Sequence, residues 1–132
     1  MSRRTVHSAL GATHPAGNEQ ITLFIPDKDR AGQAIDQAYW TDEALTMLGS
    51  LFRGATAFPP GKGVWRDDAR GGALLREITV MVTSYVPVEA LRRNLGRLRV
   101  FLHRFGREAN QGEVGVVIGG SYHAITDFDQ PH

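Results

Sequence analysis

The sequence predicts an α+β domain with a ferredoxin-like βαββαβ order, a four-stranded antiparallel sheet carrying two helices on one face. Three observations predict it. Residues 74–86, LLREITVMVTSYV, send Ile78, Val80 and Val82 to one side and Glu77, Thr79, Met81, Thr83 and Tyr85 to the other, the period-2 signature of a half-buried strand. Leu91, Leu95, Leu98, Leu102 and Phe105 recur at spacings of four, three, four and three, the apolar stripe of an amphipathic helix. Glycine and proline clusters divide the rest into segments of strand and helix length.

Residues 1–19 mix Ser, Thr, His, Gly and Pro without periodicity and read as a flexible tail. ITLFIP, ended by Pro26, is the first strand at 21–25. A polar connection, DKDRAGQAIDQ, leads to TDEALTMLGSLFRG, with Ile35, Tyr39 and Trp40 either forming a preceding turn or extending the helix that follows. There Thr41 or Asp42 can cap a helix, Ala44, Leu45, Leu48 and Phe52 form its apolar face, and Gly54 can end it. GVWRDD is the second strand and ARGG a turn into the third, residues 74–86. Pro87 suits the first turn of the second helix, which Gly106 or Gly112 ends. EVGVVIGGSYHAI is the fourth strand. The domain is thus expected at 20–126, followed by a short acidic tail at 127–132.

Composition sets the outer limits. A chain of 132 residues, 42 % hydrophobic and 22 % charged, has the size and balance of one globular domain. The lack of cysteine excludes disulfides, thiolate metal sites and cysteine nucleophiles. No apolar run approaches the roughly 20 residues of a membrane span, and the two arginines near the N-terminus are not followed by an apolar signal core. A cytoplasmic location with no membrane partner is expected. Net charge is +1, but thirteen of the fifteen cations are arginine. Arginine is the side chain for bidentate carboxylate and phosphate contact, and a GC-rich genome gives the same bias.

Chemistry-bearing residues concentrate around GATAFPPGKGVWRDD, residues 54–68. A phosphate-binding loop needs glycine, four residues, then Gly-Lys-Ser/Thr after a strand. Here six residues separate Gly54 from Gly61, Gly63 follows Lys62, and the segment follows a helix, so a rigid turn accounts better for its glycines and prolines. Beside it, Arg53, Arg66, Arg76, Asp67 and Glu77 can converge across the hairpin. As a site they would use Glu77 as general base, His123 or Tyr122 as acid, and Arg66 or Arg76 to clamp a carboxylate; as structure they would be cross-strand ion pairs. Lys62, Trp65 and Tyr85 complete the candidate ligand-binding set. His123, Asp127 and Asp129 fall within seven residues but show neither HxH nor HExxH spacing, and no metal or cofactor is expected. His7, His14 and His132 fall in the tails, and His103 on the polar side of the second helix.

That helix carries Arg92, Arg93, Arg97, Arg99, Arg104 and Arg107 against Glu89, a face of charge +5 between residues 88 and 107. Arg92, Arg93, Arg97 and Arg104 are the candidates for contact with a nucleic acid or another anionic partner, against the plainer reading of a solvated face. The uncovered sheet face, with Phe24, Trp65 and Tyr85, lacks the glycine–aromatic run of an RNA-recognition motif and fits a homodimer interface.

The middle of the chain resembles small uncharacterised bacterial protein families in which an FP-G-T loop precedes a G-W-R-D strand and an R-E strand. The matching stretches are GATAFPPGKGVWRDD, LLREITVMV and GEVGVVIGGSYHAI. Trp65, Arg66-Asp67 and Arg76-Glu77 hold the pattern, while FPPGKG departs from the simple loop. The likeness spans residues 21–125 in organisation and is specific over 51–85. It implies a bacterial origin and a compact fold, and carries no activity with it. The expected function is a small, dimeric binding protein for an anionic partner. The alternatives are a small-molecule enzyme with its pocket under residues 54–68, and an assembly subunit without a ligand.

Overall fold

The computed structural model describes residues 2–13 and 19–131. His14 and His132, like much of the predicted N-terminal tail's end, lie outside the described residues. Elements follow in the order α1 (Arg3–Ala9), β1 (Glu19–Pro26), α2 (Gln37–Phe52), β2 (Thr56–Ala57), β3 (Gly61–Asp67), a 3₁₀ turn (Asp68–Arg70), β4 (Ala73–Val86), α3 (Val88–Glu108), β5 (Val114–Ile118) and β6 (Ser121–Ile125).

The sheet has six strands, all antiparallel, in the order β2–β4–β1–β5–β6, with β3 also paired to β4. This overturns the four-stranded ferredoxin-like expectation, as do three helices in place of two. The miscounts have physical causes. EVGVVIGGSYHAI is a hairpin, not one strand: Gly119 takes φ +64° at the first position of a two-residue loop, a conformation glycine adopts at little cost. β2 is two residues long, too short to show any period. In the N-terminal segment, Ser2 caps α1 by accepting from the Thr5 N–H.

Helix bounds also move. Asp36, not Thr41 or Asp42, caps α2 by accepting from the Tyr39 N–H at 3.0 Å, so Tyr39 and Trp40 become its first turn. The helix closes on Arg53 in the left-handed region, φ 76°, one residue before Gly54. Asp29 organises the preceding loop by accepting from the Ala31 and Gln33 N–H groups. Asp27 accepts from the Ile78 N–H, which ties this loop to β4.

The core lies between one sheet face and the helices α2 and α3. Ile21, Leu23, Ile25, Val80, Val82, Val114 and Val116 meet Ala44, Leu48, Phe52, Leu91, Leu98 and Leu102. Trp40 packs edge-on against Phe101 and Phe105 at centroid distances of 6.4 and 5.1 Å. Leu95, expected in the stripe, is exposed, and Phe101 is buried instead. Ile78 is exposed as well, because the β3–β4 ribbon extends past the helices and leaves Val64, Leu74 and Ile78 uncovered on one face and Trp65 and Leu75 on the other.

The C-terminal segment packs onto α3. Phe128 lies over Gly106, where an added Cβ would sit 2.3 Å from the ring, and meets His103 edge-on at 6.0 Å. His103 is therefore buried, not on a polar face, and its Nδ1 accepts from the Asp129 N–H at 2.7 Å. Among the described residues no helix is long and apolar enough to cross a membrane.

Candidate functional site

Strand alternation decides which side chains share the uncovered sheet face. Gly63 lies opposite Glu77 and Trp65 opposite Leu75 in the β3–β4 register. Phe24 lies opposite Met81 between β1 and β4, and Tyr122 opposite Val117 between β5 and β6. These residues point away from the helices, and above them lies a cleft of about 380 Å³ bordered by Phe24, Trp65, Glu77, Glu113 and Tyr122. The loop after β1 supplies Lys28, Asp29 and Arg30 to its rim.

Three rings form the apolar part. Tyr122 stands 6.3 Å from Phe24 and 6.4 Å from Trp65, tilted against both. Gly115 makes room for it, since a Cβ there would come within 2.3 Å of the Tyr122 hydroxyl. The polar part is held by hydrogen bonds. Glu77 Oε1 accepts from the Trp65 indole N–H at 2.5 Å and from the Thr79 hydroxyl at 3.0 Å. Its other oxygen, Oε2, accepts no hydrogen bond from the described residues, so the carboxylate is fixed by one atom and open at the other.

Tyr122 donates to Glu113 Oε2 at 2.7 Å. Burial, then this bond, then the charges of Glu113 and Glu77 push the phenol far above its ordinary value. It stays a protonated donor and cannot serve as a base near neutrality. Asp29 is held below the usual carboxylate value, first by the Gln33 N–H and then by the Asn110 side chain, so it stays charged at the rim. The cleft thus combines acids at its floor with Lys28 and Arg30 at one edge, while Arg30 also donates to the Gln111 carbonyl at 2.6 Å.

Of the residues singled out from sequence, the structure brings together Trp65, Glu77 and Tyr122. His123 does not join them: it pairs with Val116, whose side chain is in the core, so it points to the helix side and is exposed at the sheet edge. Arg66 borders the cleft but is tied to Asp68 in its own turn at 2.5 Å. Arg76, opposite Val64, and Lys62, opposite Ile78, fall on positions alternate to Trp65 and Glu77. Arg53 is an exposed helix cap. Tyr85 lies eight positions beyond Glu77 on β4, about 26 Å away along an extended strand. The sequence reading did not place Lys28, Arg30, Glu113 or Gly115 here. Period-2 alternation sets Gly115 and Tyr122 on one face of the sheet only once the hairpin at Gly119 is recognised.

The arginines of α3 are largely engaged. Arg99 forms a bidentate pair with Asp129 at 2.7 and 2.9 Å, and Arg107 donates to the Asp129 carbonyl. Arg104 reaches Glu43 at 2.7 Å and lies 4.9 Å over the Trp40 ring. Arg92 pairs with Glu89 at 3.4 Å. Arg93 and Arg97 form no ion pair among the described residues. No group of three or more His, Asp or Glu side chains suited to hold a metal occurs among the described residues.

No protein-family model matches the chain, and no curated protein does. Solved structures do share its fold. A phage SAM lyase in complex with S-methyl-5′-thioadenosine is 17 % identical with a TM-score of 0.62, over 87 % of this chain and 94 % of that one. The phage SAM lyase in the apo state is also 17 % identical, with a TM-score of 0.60, over 90 % of this chain and 97 % of that one. A Bacillus cereus protein related to NIF3 is 15 % identical with a TM-score of 0.52, over 91 % of this chain but 34 % of that one. At these identities the likeness is one of fold: an α+β chain folded as these proteins are.

Proposed function

We propose that the protein takes a small zwitterionic nucleoside-type molecule in the cleft between Trp65 and Tyr122, and that Glu77 meets the ligand's positive charge. One observation carries this reading: a carboxylate pinned through a single oxygen by Trp65 and Thr79, with its second oxygen open, beside three aromatic rings. A cation at that position gains both the carboxylate and the ring faces, and each contact strengthens as water is displaced. Lys28 and Arg30 at the rim suit the ligand's negative end. The first ligands to test are the sulfonium-bearing SAM and its relative S-methyl-5′-thioadenosine, the molecules named with the phage lyase of the same fold. With such a ligand Glu77 acts by stabilising charge, and Tyr122 acts by holding Glu113.

Isothermal titration of SAM into the protein, with chromatography of the mixture for new products, tests this. Glu77→Gln keeps the shape and removes the charge, and should weaken SAM binding at least tenfold while leaving the melting temperature nearly unchanged. A protein that binds neither SAM nor S-methyl-5′-thioadenosine, or a Glu77→Gln variant that binds SAM as tightly as the parent, would overturn the reading.

A further inference from the structure

A second hollow, of about 340 Å³, adjoins the first at Trp65. The two share Phe24, Trp65 and Glu77, so the indole and the carboxylate form the wall between them. Their chemistry differs. The first is bordered by Glu113, Asp67, Asp29, Lys28 and Arg30; the second by Pro59, Gly61, Gly63, Thr79 and Met81, with Lys62 at its margin.

The β3 register explains this second space. Positions 61, 63 and 65 face the same way on a strand, and they are glycine, glycine and tryptophan. Gly61 lies opposite Thr79 and Gly63 opposite Glu77, so about 7 Å of strand carries no side chain of its own on this face, with the Glu77 and Thr79 side chains bordering it beside Gly63. Neither glycine has a positive φ, so the backbone does not require them. Nor does crowding: a Cβ at Gly63 would come 3.4 Å from Glu77 Cγ and 3.5 Å from Thr79 Oγ1, ordinary contact distances. The two positions leave a flat shelf that folding alone does not demand.

We infer that this shelf is a base subsite, taking the planar, amine-bearing heteroaromatic ring of the ligand whose charged end occupies the first cleft. The inference rests on the proposed nucleoside-type ligand and extends it by dividing the molecule between two hollows. A flat ring lies on the bare peptide of Gly61 and Gly63, its edge against Trp65. Glu77 Oε2, open on the dividing wall, accepts from an amine of that ring or meets the charge beside it. A nucleobase matches a flat surface with a hydrogen-bond acceptor at its border; an aliphatic chain would make no use of that acceptor.

Gly61→Ala and Gly61→Val fill the shelf in steps at a position where an added Cβ meets the Thr79 carbonyl at 3.9 Å and not Glu77, and valine suits a strand. S-Methyl-5′-thioadenosine (base, no charge) and S-methylmethionine (sulfonium amino acid, no base) are titrated separately into parent and variants, whose melting curves establish that they fold. The expected result is a loss of S-methyl-5′-thioadenosine affinity of about threefold for alanine and at least tenfold for valine, with S-methylmethionine binding changed less than twofold. Unchanged S-methyl-5′-thioadenosine affinity in a folded Gly61→Val protein, or equal losses for both probes, would overturn the base subsite while leaving the first cleft standing. A parent protein that binds neither probe would remove the reading of the first cleft, and the subsite with it. If the valine variant does not fold, the alanine variant decides by the same comparison.

Discussion

Trp65 exposes 43 % of its surface, yet its indole N–H is committed to Glu77 and its ring stands between two hollows. A core tryptophan replaced by alanine costs about 3–5 kcal/mol. An exposed one loses far less, so Trp65→Ala should cost about 1 kcal/mol, a fall in melting temperature of about 4 °C. The same variant should lose SAM binding at least tenfold, because it removes a ring and frees Glu77 to turn. A melt and a titration on one sample separate the two roles, and a fall beyond 10 °C would make Trp65 a scaffold residue. Tyr122 gives a pH signature. Its folded value is raised above the ordinary phenol value of 10.0 by burial, by the bond to Glu113 and by the charges of Glu113 and Glu77. The bond to Glu113 therefore contributes fully below pH 10 and is lost as pH rises through the raised folded value. Ultraviolet titration should show one of the three tyrosines ionising late, and Tyr122→Phe should delete that late step and no other.

At the scale of elements, α3 and the segment after β6 behave as one unit. Gly106 sits under the Phe128 ring, His103 takes the Asp129 N–H, and Arg99 and Arg107 hold Asp129 from the same helix. A methyl at position 106 would collide with the ring, so Gly106→Ala should release the segment at a cost of about 1–3 kcal/mol. Limited proteolysis should then cut after β6 in the variant and spare the parent; equal cutting in both would show that the docking adds nothing. This packing also changes the meaning of the basic helix face. Arg99, Arg104 and Arg107 are held by partners within the chain, so salt-dependent retention of nucleic acid would rest first on Arg93, Arg97 and Arg92, whose pair with Glu89 is exposed.

On the scale of the whole molecule, the sheet face opposite the helices runs from the cleft at Trp65 to Tyr85, which is 67 % exposed, with Met81 at 42 % between them. Pairing of two copies through the Tyr85 end is the proposal that accounts for these exposed side chains; it leaves the first cleft open to a ligand and brings Met81, at the border of the second hollow, to the edge of the interface. Met81→Glu and Tyr85→Glu would each bury an unpaired carboxylate in that interface. Light scattering after size exclusion should show a dimeric parent and monomeric variants. A monomeric parent would dismiss the interface without touching the first cleft, which neither Met81 nor Tyr85 borders.

The sequence by itself determined the pieces with long, regular periods, most of β4 and the amphipathic α3, together with β1 from a short β-rich run ended by Pro26 and the placing of Trp65 on the same sheet face as Glu77. Side-chain period follows from backbone geometry, and a run of ten or more residues shows it without reference to anything distant. The tertiary structure alone decided the rest. A two-residue β2 has no period, and the hairpin at Gly119–Gly120 reads as one strand until its halves are seen to pair. Glu113, Lys28 and Arg30 reach the cleft from segments far apart in the chain, and His123 leaves it because one register step sends a side chain to the opposite face. Burial of His103 depends on a ring more than twenty residues further along. Apart from the local β5–β6 hairpin and the position of His123 within it, these are contacts between distant segments, and local propensity does not encode which distant segment arrives.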